Sequence, residues 1–150
     1  MGKSSARRKE YYEGILQLRN PTKEVISAVR NLLEENRNVF IAKEVKLSNG
    51  LDLYLSSQKY LQFIGKNLQN RFGGELVETA KLVSRSKETS KDLYRITVLF
   101  RYPKFKKGDV VDYKGREVKV INFSKKVYIE DMKTHKKEQA DFSKIKSNHA

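Results

Sequence analysis

Tyr94, Ile96, Val98, Phe100 and Tyr102 occupy every second position of one stretch, which Pro103 then closes. A period of two places all five on the same face of a β-strand, and such a face is stable only when another layer covers it. The covering layer is legible upstream. Val25, Ile26, Val29, Leu32 and Leu33 recur with the spacing of one helix face, and Asn20-Pro21 reads as the N-cap and first position of that helix. Leu61, Ile64 and Leu68 form a second such stripe, started by Ser56 or Ser57 and ended at Gly73-Gly74. Tyr11 to Arg19 and Leu76 to Val83 read as further strands. Between the helices, Val45 and Leu47 face Leu51 and Leu53 across Ser48-Asn49-Gly50. A three-residue loop with Gly50 left-handed pairs Val45 with Leu53 and Leu47 with Leu51, in agreement with burial. The order strand, helix, two strands, helix, two strands predicts an α+β layered domain, βαββαββ, over residues 11–102, preceded by a basic segment at 1–10.

Beyond Pro103 the pattern changes. Val110-Val111, Val118 to Phe123 and Val127 to Ile129 are short apolar runs separated by Lys114-Gly115, Ser124-Lys125 and Lys133-Thr134-His135-Lys136. Short strands at this spacing predict a small, strongly bent β-barrel over residues 103–150, with helical character only near Phe142 to Ile145.

Charge speaks to function. Lys and Arg number 32 against 18 acidic residues, a net charge of +14, and both parts share it: +8 through Tyr102 and +6 beyond. A surplus of that size favours a polyphosphate partner, whose counterions are released on binding. A membrane is a poorer partner, because no helix opposes a strong apolar face to a lysine face. The chain has no cysteine, which removes thiolate metal sites and agrees with a reducing, cytoplasmic setting. Catalytic chemistry is not apparent. The two histidines, His135 and His149, lie in a turn and at the terminus. Gly2-Lys3-Ser4 lacks the rest of a phosphate-binding loop, and the acidic pairs read as solvated surface. No small-molecule substrate and no cofactor are expected.

The candidate RNA-binding residues are cations placed at turns and on one helix face. They are Lys59 and Lys66 on the second helix; Arg85, Lys87 and Lys91 in a polar loop; Lys104, Lys106 and Lys107 at the entry to the barrel; and Lys114, Arg116, Lys125, Lys126, Lys136 and Lys137 at its turns. Cations that reach phosphates from several directions suit a folded RNA. Tyr94, Phe100 and Tyr102 have the chemistry to stack bases, although their alternation favours core packing.

Several motifs, in order, resemble a known family. Ser5-Ala6-Arg7-Arg8-Lys9-Glu10-Tyr11-Tyr12-Glu13-Gly14-Ile15-Leu16-Gln17-Leu18-Arg19, Gly50-Leu51-Asp52-Leu53-Tyr54-Leu55-Ser56-Ser57, Arg71-Phe72-Gly73-Gly74, Ala80-Lys81-Leu82-Val83 and Tyr94-Arg95-Ile96-Thr97-Val98 are similar to the nonsense-mediated decay protein three family, the export and maturation adaptor of the large ribosomal subunit. Gly108-Asp109-Val110-Val111, Gly115 to Val120 and Val127 to Asp131 resemble the SH3-like domain of translation factor five A. That factor's modified-lysine loop is replaced here by Ser124-Lys125-Lys126, so lysine modification is not expected. The resemblance implies a non-catalytic factor docked near the transfer-RNA exit site during late maturation, with a link to messenger decay. Its implied partners are large-subunit ribosomal RNA and the ribosomal proteins of the exit-site stalk. The family's zinc-binding C-x-x-C region and its contact with the anti-association factor lie in a part this sequence lacks. That lack, with the absence of a shuttling tail, is expected of a truncated archaeal form. An SH3/KOW-type transcription or translation factor, and the RNA-binding part of an RNA-modifying enzyme, remain open as alternatives.

Overall fold

A computed structural model describes residues 11–85 and 92–146. In chain order, its first part is β1 (Gly14–Arg19), α1 (Lys23–Glu35), β2 (Ile41–Leu47), β3 (Gly50–Leu55), α2 (Gln58–Phe72), β4 (Glu75–Arg85) and β5 (Asp92–Arg101). The sheet order is β2-β3-β1-β5-β4. β1 lies at the centre, antiparallel to β3 and parallel to β5. Its Leu16 and Leu18, with Leu51, Leu53, Leu55, Val98 and Phe100, form a floor on which both helices lay their apolar faces. Val25, Val29 and Leu32 come from α1, and Leu61, Ile64 and Leu68 from α2. Each of these helix positions is buried, so the apolar stripes faced the core as their spacing requires. The opposite face carries Val45, Tyr54, Ile15, Gln17, Thr97, Leu99 and Thr79, and none of these is fully buried.

Two local expectations need correction. Asn20 does not cap α1. It takes a left-handed backbone (φ 52°), and its amide donates to the carbonyls of Tyr102 at 3.0 Å and Pro103 at 3.4 Å. Thr22 is the cap instead, its hydroxyl accepting from the Val25 N–H at 3.2 Å. The connection to the following sheet thus claimed the asparagine, leaving the next capping residue to serve the helix. In the β2–β3 hairpin, Leu47 pairs with Gly50 and Val45 with Asp52 across a two-residue Ser48-Asn49 loop. Gly50 is not left-handed. Its role is close approach, because an added Cβ would overlap the Leu18 carbonyl oxygen on β1. β2 is an edge strand, so its register follows the loop and the ion pair of Glu44 with Arg30 of α1 rather than burial of Val45 and Leu47.

The second part comprises β6 (Val110–Tyr113), β7 (Arg116–Phe123), β8 (Val127–Asp131), β9 (Lys137–Ala140), a 3-10 turn (Phe142–Lys144) and β10 (Ile145–Lys146). The order is β10-β6-β7-β8-β9, around a core of Val111, Val118, Val120, Val127, Ile129 and Phe105. Among the described residues no ladder joins β9 to β10, so the sheet does not close into the expected barrel. The 3-10 turn separates these strands, and β10 has only two residues, both already paired to β6. β9 and β10 escaped the sequence reading because they hold too few apolar residues to show alternation.

Phe123 sits where the two parts meet. Its ring lies 6.2 Å from Tyr102, 5.8 Å from Phe105 and 6.2 Å from Phe142, each edge-on. Gly73 ends α2 beneath it, and the Gly74 N–H donates to the Ser124 carbonyl at 3.0 Å.

Candidate nucleic-acid interface

The predicted cations fall into three groups. Lys59 and Lys66 are exposed on α2, two turns apart. Arg85 ends β4, while Lys87, Lys91 and the side chain of Arg85 lie outside the described residues. The remainder belong to the linker and the second sheet. There Lys104, Lys106, Lys107, Lys114, Lys125, Lys136 and Lys137 are all exposed, and among the described residues none has a carboxylate within ion-pair distance. The Lys106 turn is fixed from below, its N–H donating to Asp109 at 2.8 Å. Lys114 and Gly115 both have positive φ, giving a tight turn of the type that matches strand twist. That turn projects the ammonium away from the core.

Two expected contacts are already committed within the fold. Arg116 donates to Asp131 at 3.0 Å and to Glu138 at 3.4 Å, and its guanidinium lies 5.4 Å from the Tyr113 ring. Asp131 is buried. It also accepts the N–H groups of Lys133 at 2.8 Å and Thr134 at 3.0 Å. Those backbone donors, with Arg116, hold its carboxyl below the usual carboxylate range. Arg116 is therefore a clamp of the β8–β9 turn. Lys126 pairs with Asp141 and depresses its carboxyl in the same direction. This pair is exposed, so a phosphate can replace the carboxylate at small cost.

The fold brings Lys114 and Lys126 together with a residue the sequence reading missed, Lys144. All three line a depression of about 260 Å³ with Tyr113, Gln139 and Asp141. Lys144 was illegible because only the 3-10 turn returns it to the end of β6. Lys59 and Lys66 lie on another element and share no described cavity with these. Of the three aromatics weighed as base stackers, Phe100 is buried in the core, Tyr102 packs against Phe123 and Tyr94 is exposed.

Among the described residues no group of three or more His, Asp or Glu is placed to hold a metal, and with no cysteine the chain does not fit a thiolate zinc site. His135 stands on an exposed turn, 3.2 Å from Glu130. No helix among the described residues is long and apolar enough to cross a membrane.

Fold and surface together define a two-sheet α+β protein whose exterior carries more cations than its own carboxylates neutralise. Residues 11–101, from just before β1 to the last residue of β5, match the family model described as NMD3, second domain, and the chain belongs to the NMD3 family. That family consists of ribosome-associated, non-catalytic adaptors of large-subunit biogenesis. No curated protein matches the chain.

Proposed function

We propose that this chain is a non-catalytic factor that docks on the large ribosomal subunit, using the exposed lysines of its second sheet to hold ribosomal RNA phosphates. The observation that carries this reading is the division of labour among charges. Asp131, Glu138 and Asp141 are occupied by Arg116 and Lys126, whereas Lys104, Lys106, Lys107, Lys125, Lys136 and Lys137 remain exposed and unpaired among the described residues. Unpaired lysines on turns are suited to phosphates of a folded RNA. The return of β10 to β6 through a 3-10 turn supports an SH3-like reading of this sheet. With the family assignment, that favours a position near the transfer-RNA exit site, against the stalk there, during late maturation in the cytoplasm.

The test is co-sedimentation with large subunits across a salt series. Affinity is expected to fall steeply, with a slope reporting about four or more phosphates. Reversing Lys106, Lys107, Lys125 and Lys136 to glutamate should weaken binding and flatten the slope by about one for each lost contact. The same reversal at Lys23, Arg37, Lys46 and Arg71 should weaken it less. Equal losses would reduce the interaction to general charge attraction and defeat the proposal.

A further inference from the structure

The face of the first sheet away from the helices carries a row of rings and cations. At one end of that face the Arg95 guanidinium lies 4.1 Å over the Tyr12 ring. Tyr12 meets Tyr54 edge-on, with centroids 4.9 Å apart and planes at 82°. The Lys43 ammonium lies 5.5 Å from the Tyr54 centroid. Strand register sets this line: Lys43 pairs with Tyr54, Tyr54 with Ile15, and Lys81 with Arg95. Cation, ring, ring and cation thus run across the sheet from β2 to β5, with Lys81 on β4 at the far edge. Five strands at ordinary spacing make this a track roughly 19 Å wide.

Charge on the face is sorted. Asp52 is held by Arg19 at 2.7 Å, and Glu75 stands 3.9 Å from Arg101. Both lie toward the opposite end of the strands, and Glu13, beside Tyr12, is occupied by the Tyr11 hydroxyl at 2.5 Å and the Gln58 N–H at 3.0 Å. Lys43, Lys81 and Arg95 have no carboxylate within ion-pair distance among the described residues. Between the two ends lie Gln17, Thr97 and Thr79, half-buried or exposed hydrogen-bonding side chains, interspersed with the apolar Ile15, Val45, Val77 and Leu99. An unpaired nucleic-acid strand would meet rings and a guanidinium plane for its bases, amide and hydroxyl groups for their edges, and the ammonium groups of Lys43 and Lys81 for its phosphates. A broad sheet face cannot follow the deep, narrow major groove of duplex RNA.

We infer that this face binds a single-stranded RNA segment, with Tyr12, Tyr54 and Arg95 as the stacking platform and Lys43 and Lys81 as phosphate contacts. The inference rests on the proposed RNA-docking function but assigns a second surface, separate from the second sheet.

The chain contains no tryptophan, so Tyr54→Trp installs a single reporter on the track. A short oligouridylate RNA is expected to quench its fluorescence saturably, and the same sequence in a duplex is expected to leave it unchanged. In anisotropy titrations, Tyr54→Ala and Arg95→Ala should each weaken oligouridylate binding about tenfold. Tyr54→Phe, which keeps the ring, should match the parent. The second-sheet lysine reversals should spare most of this binding while impairing subunit co-sedimentation. Unchanged affinity in the alanine variants, equal quenching by duplex, or no binding of oligouridylate by the parent would each overturn the inference. Quenching that follows protein rather than RNA concentration would assign the face to a second copy of the chain, and would also overturn it. Co-sedimentation of the parent reports separately on the proposed docking function, so either idea can fail alone.

Discussion

Gly50 shows how a residue can be required for a reason other than its turn chemistry. Its backbone lies against the Leu18 carbonyl oxygen, and β-branching there forces β1 and β3 apart. Gly50→Val is therefore expected to cost about 1–3 kcal/mol or more, read as a lower urea midpoint, whereas Asn49→Ala should change little. Asn49 contributes its backbone carbonyl, which accepts from the Asn20 N–H at 3.0 Å, and that group survives the substitution. Asp131 makes a prediction about pH. Its carboxyl titrates below the usual range because the N–H groups of Thr134 and Lys133, and then Arg116, favour the ionised form. A depressed folded value contributes stability fully above the unfolded carboxylate value, about 3.9, and loses it as pH falls through the folded value. Acid titration followed by circular dichroism should show the parent losing stability below about pH 4. Asp131→Asn should start less stable and lose less over the same range.

At the scale of elements, the entry to α1 separates two roles that neighbouring residues share. Thr22→Ala removes one cap hydrogen bond and is expected to cost about 1 kcal/mol. Asn20→Ala removes two hydrogen bonds to the Tyr102 and Pro103 carbonyls and leaves alanine in a left-handed conformation. It should cost more, by roughly 1–3 kcal/mol for the strain alone. Urea melts of the two variants rank them. The opposite ranking would mean that the link between β1 and the segment after β5 is dispensable. α2 is simpler: Leu68 is fully buried, and Leu68→Ala should cost about 2–5 kcal/mol.

For the whole molecule, Phe123 is the residue through which the two cores meet. Its ring touches the aromatic group of Tyr102, Phe105 and Phe142, and an added Cβ at Gly73 would come within 2.8 Å of that ring. Removing the ring deletes the packing that ties the sheets while leaving the centre of each core intact. Phe123→Ala is therefore expected to split one calorimetric transition into two. A single transition, merely lowered, would mean that the linker and the Gly74–Ser124 hydrogen bond suffice to couple them.

Periodicity and punctuation in the sequence determined the elements of the first sheet and, except on β2, which side of each met the core. The Leu51, Leu53, Leu55 alternation and the stripes of α1 and α2 are properties of residue spacing, and spacing is local. The placement of cations on turns was legible for the same reason. What the tertiary structure alone decided depends on groups distant in the chain. Asn20 was drawn from its cap by carbonyls more than eighty positions away, and Arg116 was claimed by Asp131 and Glu138. Lys144 reached Lys114 and Lys126 only through the 3-10 turn. Tyr12, Lys43, Tyr54 and Arg95 belong to four separate segments, and strand register aligned them across one face. Each of these outcomes turns on a donor, an acceptor or a ring finding its partner in space, and sequence spacing does not encode that distance.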